Sequence, residues 1–262
     1  QSATSETLIP LPKESLESFF TGMKDLMGMK VSRIVSNTVM FLDGTPYENK
    51  DYTDKYGYRA KYRLLPRQFG VYGGEKIFEV EKVGITTNTL SFEEYLETRT
   101  FAFIIEMLFN NKIFRELEYF LEDYKLNYYD YIYFIYKNLK NAPEGVQDVI
   151  KSFEKQSINE LKDTEESLTK YYSNEKNFEQ LDKGEEGGNL KYIHKALLLS
   201  KHHDSWLNFA LDYFKKFLIS KNVKIDEDFN DVCSFIKCKH DGILDSSKSR
   251  TPLTNSFDFD II

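Results

Sequence analysis

The sequence predicts an α+β fold in which helix predominates. Three observations predict it. The chain opens on a strand–helix–strand pattern over residues 7–42. Lys76-Ile77-Phe78-Glu79-Val80-Glu81-Lys82-Val83 alternates strictly, with the period of a half-buried or edge strand. From Ser91 to about Lys237 the apolar residues recur mainly at helical spacing.

Thr7-Leu8-Ile9-Pro10-Leu11-Pro12 is a short apolar run ending in proline, the end of a buried strand. Lys13-Glu14-Ser15 opens a helix whose Leu16, Phe19, Phe20, Met23, Leu26 and Met27 share a side, and Gly28 closes it. Val31, Ile34, Val35, Val39, Met40, Phe41 and Leu42 form a nearly continuous apolar strand, as in a parallel sheet covered on both faces. Asp43-Gly44-Thr45-Pro46 is a turn, and a polar stretch anchored by Tyr47, Tyr52 and Tyr56 follows to Gly57. Residues 58–65 read as extended and end at Pro66; Gly70, Gly73 and Gly74 mark a turn before the alternating strand. Ser91 caps the next helix, with Glu93 and Glu94 in its first turn, and that helix runs to about Phe109. Further helices are expected over 113–124, 128–139, 145–172, 190–219 and 227–237, with a glycine-rich loop at 182–189. No repeat period links them, which argues against a helical repeat array.

With 262 residues, 41% of them hydrophobic, the chain buries a sizeable core, and an aromatic content of 15% excludes a disordered tail. A net charge of -7 gives no general attraction to nucleic acid or to anionic membranes, so neither is an expected partner. No run approaches the roughly 18 apolar residues of a membrane span, and the polar start lacks the features of a signal peptide. Cys233 and Cys238 are the two cysteines, too few for a disulfide framework; a reducing cytoplasm is the expected compartment. The chain begins without Met, and the apolar–acidic alternation at 257–262 stops in mid-pattern, so both ends read as cuts from a longer polypeptide.

Several segments carry a resemblance in order. Leu8-Ile9-Pro10-Leu11-Pro12-Lys13-Glu14-Ser15 resembles the "I-L-G-L-P-G-E-T" strand end of radical-SAM barrels, although Pro10 and Lys13 stand where glycine is usual. Phe41-Leu42-Asp43-Gly44-Thr45-Pro46 is similar to the "L-x-G-T-E" that ends the next barrel strand. Lys61-Tyr62-Arg63-Leu64-Leu65-Pro66, Phe78-Glu79-Val80-Glu81 and Ser91-Phe92-Glu93-Glu94-Tyr95-Leu96 resemble the linker and C-terminal region of cobalamin-binding radical-SAM proteins. The resemblance covers about residues 6–121. It implies the remnant of a (β/α) barrel to residue 65, a connecting strand segment at 66–90, and a helical C-terminal domain at 91–262. It also implies a parent enzyme that cleaves S-adenosylmethionine reductively and methylates or rearranges a small-molecule substrate. A four-iron four-sulfur cluster, S-adenosylmethionine and, for this subclass, cobalamin are the implied cofactors. The missing N-terminal part of the same polypeptide is the implied partner. The cofactor contacts it places on this chain are Leu8, Pro10, Glu14, Asn37 and Met40.

The CxxxCxxC triplet that holds such a cluster is absent, so the chain is not expected to be catalytic alone. No catalytic residue and no metal ligand is assigned to it. Cys233, Cys238 and His240 read as structural groups rather than ligands, since helical spacing keeps the two thiols off one face. His202 and His203 point about 100° apart on a helix, so they do not share an ion; His194 lies two turns earlier. Arg63 and Arg67 flank Pro66 at the barrel mouth and are the candidates for an anion of substrate or cofactor, against structural pairing with Glu79 or Glu81. The tyrosine-rich run 128–136 reads as a core face before a binding platform. A competing reading is a non-enzymatic helical binding or scaffolding module. The open strand–helix–strand unit argues against it, because apolar barrel surface around 31–42 would lie exposed and drive association.

Overall fold

A computed structural model describes residues 3–240, so the alternation at 257–262 lies outside the described residues. The fold is α+β and mostly helical, as the patterning predicts. Among the described residues the strands form two two-stranded sheets, one parallel and one antiparallel.

Strand β1 (Thr4–Ile9), helix α1 (Leu16–Gly28) and strand β2 (Arg33–Thr38) make the parallel unit, with Thr4 opposite Arg33 and Ile9 opposite Thr38. Ser15 starts α1 through a capping box with Ser18, each side chain accepting the other's backbone N–H. Phe19, Met23 and Met27 then recur on one face and are buried.

The second strand is shorter than its apolar run, which serves two sheets. Val39 bridges the two: its N–H donates to the Ile9 carbonyl of β1 at 2.8 Å, while its carbonyl accepts the Gly84 N–H at 2.9 Å, and beyond it Phe41 N–H donates to the Lys82 carbonyl at 2.8 Å. The stretch 43–57, read as polar connection, contains helix α2 (Lys50–Tyr56), capped by the Asn49 side chain and ended by Gly57 at φ 65°.

Strands β3 (Arg59–Tyr72) and β4 (Glu75–Thr86) form a long hairpin turned at Gly73 and Gly74, both at positive φ. Pro66 does not end β3. The pairing shifts between Leu64 and Phe69, and this irregularity absorbs the missing amide of Pro66 and the φ of 64° at Arg67. The hairpin changes its buried face along its length. Near the tip Phe78 and Val80 pack with Leu168, Tyr172, Phe178 and Leu181; at the base Val83 and Ile85 enter the main core. Glu81 lies at the crossover and is buried.

Helix α3 (Phe92–Ile105) begins at the Ser91–Glu94 capping box and passes into a π-helical turn (Glu106–Asn110). That turn aims the Asn110 side chain at β2. Its amide donates to the Ile34 carbonyl at 2.7 Å, and its oxygen accepts the Ile34 N–H at 2.9 Å, as a neighbouring strand would.

Helices α4 (Arg115–Asp123), α5 (Tyr128–Lys137), α6 (Glu144–Asn159), α7 (Glu165–Ser173), α8 (Glu175–Asp182), α9 (Leu190–Lys201), α10 (His203–Ser220) and α11 (Glu227–His240) follow. The two longest expected helices are each broken. Between α6 and α7, Lys162 exchanges backbone hydrogen bonds with Tyr62 of β3, and Thr164 caps the new start. Between α9 and α10, His202 leaves helical geometry and its ring fills the space over Gly145. Tyr128, Tyr129 and Tyr131 of α5 are core and Tyr133 and Tyr136 pack half-buried against it, with Tyr131 donating to the Ala210 carbonyl and Tyr128 to the Leu108 carbonyl. Among the described residues the main apolar core runs from Ile9 to Ile236, beside the smaller cluster under the hairpin tip. Among the described residues no helix is long and apolar enough to cross a membrane.

Candidate functional site

The C-terminal ends of β1 and β2 meet the hairpin and helices α3, α6 and α9 around a cavity of about 70 Å³. Its walls carry three cations from three elements: Arg63 of β3, Arg99 of α3 and Lys191 of α9. Arg63 Nε donates to Glu81 at 3.0 Å and its Nη1 to Glu160 at 3.3 Å. Arg99 Nη1 donates to the same Glu160 oxygen at 2.7 Å and to the Tyr95 hydroxyl at 3.2 Å. Tyr95 reaches Thr38 at 3.2 Å, so one polar chain links β2, α3, α6 and the hairpin. Burial works against the charge of Arg99, and Tyr95 and Glu160 more than offset it.

Lys191 differs from the two arginines. Its ammonium donates to a backbone carbonyl, that of Ser36 at 2.7 Å, rather than to a carboxylate. Burial pulls its pKa down to about 8; Arg99, Arg63 and Arg33 push the same way, and Glu106 opposes them. Glu106 is itself engaged by Lys195 at 2.7 Å and by the Asn110 amide at 2.7 Å.

A second cavity of about 550 Å³ adjoins the first, and Glu160, Gly188 and Leu190 line both. Its walls add amides and phenols, among them Gln156, Asn159, Gln180, Tyr171 and Tyr172. The loop after α8 shapes it. Gly187 sits at φ 69° against Leu64 and Leu181, where a side chain would collide, and its carbonyl accepts the Arg67 N–H at 2.8 Å.

The residues singled out from the sequence divide. Asn37 and Arg63 line the cationic cavity. Arg67 does not; it is exposed and packs on Gly184 and Gly188. Leu8 and Met40 stand at the strand ends, 41% and 37% exposed, with Leu11 and Leu42 extending the apolar rim. The Pro10 carbonyl accepts the Tyr58 hydroxyl at 2.8 Å, and the Glu14 carboxylate accepts the Leu11 N–H at 3.0 Å. Burial raises the Glu14 pKa, and the Leu11 bond opposes it. Arg63 pairs with Glu81, while Glu79 faces solvent. His194 is a core histidine, bonded to the Leu190 carbonyl and to Ser152. Among the described residues no three His, Cys, Asp or Glu side chains converge as metal ligands.

Arg99, Glu160 and Lys191 were not singled out. Arg99 follows Tyr95 by one helical turn, which is a local signal. Nothing local connects either to Lys191, 92 positions further on by number. A scan against protein-family models finds no match, and a search of curated proteins finds no similar sequence.

Proposed function

We propose that this chain is the C-terminal part of a cobalamin-type radical-SAM enzyme of the reducing cytoplasm. The reading rests on the sequence resemblance together with one structural observation: two parallel strands joined by a helix, whose C-terminal ends open onto a polar, cationic cavity. Ligand sites of (β/α) barrels lie at that end of their strands. In this reading β1–α1–β2 is the remnant of the barrel, and the helices carry the far wall of a small-molecule substrate site.

The cluster does not fit this chain. Cys233 is half-buried, its thiol pushed up to about 12 mainly by burial, and Cys238 is exposed. With those two as the chain's cysteines, the cluster's three thiolates belong to the N-terminal part of the polypeptide, as does any cobalamin-binding domain. S-adenosylmethionine fits in part. Leu8 and Met40 offer apolar surface at the strand ends and Asn37 an amide, whereas Pro10 and Glu14 already hold the β1–α1 loop together.

The test uses the polypeptide as its gene encodes it. It is reconstituted with iron and sulfide without oxygen, then given S-adenosylmethionine and a low-potential reductant. Formation of 5′-deoxyadenosine supports the proposal. A protein that binds no cluster and forms none overturns it and leaves the helical binding module.

A further inference from the structure

The cationic cavity is a site built at some energetic cost. Arg63, Arg99 and Lys191, all half-buried, converge on a small half-open space, and the carboxylates bonded to this cluster are Glu81 and Glu160. Among the groups bonded within the cluster, three cations face two carboxylates; Glu106 beyond them is matched by Lys195 and Arg33, so the excess stays positive. Lys191 carries the imbalance, because a carbonyl dipole is its partner where each guanidinium has a carboxylate. Glu106 is the nearest carboxylate acting on Lys191, but it is bonded to Lys195 and Asn110; a half-buried ammonium without a bonded counter-ion is disfavoured, and an anion delivered to the cavity would relieve it. The space of about 70 Å³ holds roughly five water-sized centres, enough for a carboxylate and a carbon or two. The residual charge matches a monoanion, and the Glu160 carboxylate in the wall would repel a dianion.

The adjoining cavity supplies the rest. At about 550 Å³ it has the size of a small-molecule pocket. Gln156, Asn159 and Gln180 offer amide donors and acceptors there, and Tyr171 and Tyr172 offer hydroxyls and ring faces. Glu185 and Glu186 stand with Lys155 and Lys162 in the same walls, so the lining suits an uncharged body rich in hydrogen-bonding groups rather than a hydrocarbon or a second anionic group.

We propose that Arg63, Arg99 and Lys191 bind the carboxylate of a small organic acid whose polar body lies in the adjoining cavity. The assignment depends on this chain's residues alone and is separate from the origin of any iron–sulfur chemistry.

Gluconate, a monocarboxylate with a polyhydroxyl body, is the probe. The guanidinium Nε–H signals of the 262-residue chain are followed by NMR during titration, with acetate and inorganic phosphate in parallel. The expected result is a saturable shift of the Arg63 and Arg99 signals with gluconate and a weaker one with acetate, while Arg115 on α4 stays still. Lys191→Met is expected to weaken gluconate binding about tenfold or more at pH 7. The absence of a saturable shift up to about 50 mM gluconate overturns the site outright, a limit set by the weakest affinities worth assigning to a ligand. Phosphate binding more tightly than gluconate overturns the monocarboxylate assignment. Acetate matching gluconate removes the second cavity from the proposal. The wild-type titration decides these points even if the variant folds poorly.

Discussion

Lys191 should lower the stability of the protein in which it sits. Its value of about 8, against an ordinary lysine value of 10.5, corresponds to roughly 3 kcal/mol of disfavoured charge in the folded state. The sign follows from proton binding. Between about 8 and 10.5 the unfolded chain holds the proton that the folded chain has lost, so stability rises with pH there; below 8 the full penalty applies. Lys191→Met keeps the aliphatic length and removes the charge. It leaves the Ser36 carbonyl without its donor, which takes back about 1 kcal/mol. The variant should therefore be about 2 kcal/mol more stable than the wild type at pH 7, a rise of about 6 °C in Tm for a chain of this size. The advantage should shrink steadily above pH 8, vanish between about pH 9.5 and 10, and turn into a deficit of about 1 kcal/mol above about pH 10.5, where the charge penalty is gone and the lost Ser36 bond remains. Thermal and urea unfolding of both proteins across this range measures it. A variant less stable than the wild type at pH 7, or a gap unchanged across the range, would refute the reasoning. It would mean that Lys191 is held by its neighbours rather than merely tolerated. A residue that lowers stability and yet closes a cavity is what a binding site requires.

Three further outcomes are expected. Glu160→Gln leaves two buried guanidiniums short of a shared carboxylate and should cost about 2 kcal/mol in urea unfolding at pH 7. Asn110→Ala exposes the N–H and carbonyl of Ile34 on β2 and should also cost about 2 kcal/mol, with faster amide exchange at Ile34 as the local readout. His194 is buried, and burial lowers its pKa below 6.5 while the Leu190 carbonyl opposes this. The unfolded chain then takes up its proton first, so stability is complete above pH 6.5 and falls as the pH drops below it. His194→Gln should flatten the stability difference between pH 7 and pH 5; an unchanged difference would remove His194 as its source.

The sequence by itself determined the local elements. Ser15, Asn49, Ser91 and Thr164 carry side chains that accept the first free amides of a helix, and such caps act within one turn. The Ser15 and Ser91 starts, the alternation of β4 and the core face of α5 follow from spacing alone. The caps at Asn49 and Thr164 were equally local but lay inside segments read as something else, a polar connection and one long helix.

The tertiary structure decided the rest. Residues 39–41 turn from β1 to pair with β4, because an apolar run does not record the identity of its partner. Pro66 reads as a strand end, yet the hairpin continues past it, because ten paired positions on both sides of the irregularity outweigh one lost amide. The cationic cavity is of the same kind. Arg63, Arg99, Glu160 and Lys191 come from four distant segments, and while Pro66 draws notice to Arg63, nothing marks the other three among the chain's 35 lysines and arginines and 42 acids. Only the packing of the hairpin and of α3, α6 and α9 against the ends of β1 and β2 brings them to one cavity. Charge interactions fall off over a few ångströms in three dimensions, and linear spacing does not measure that distance.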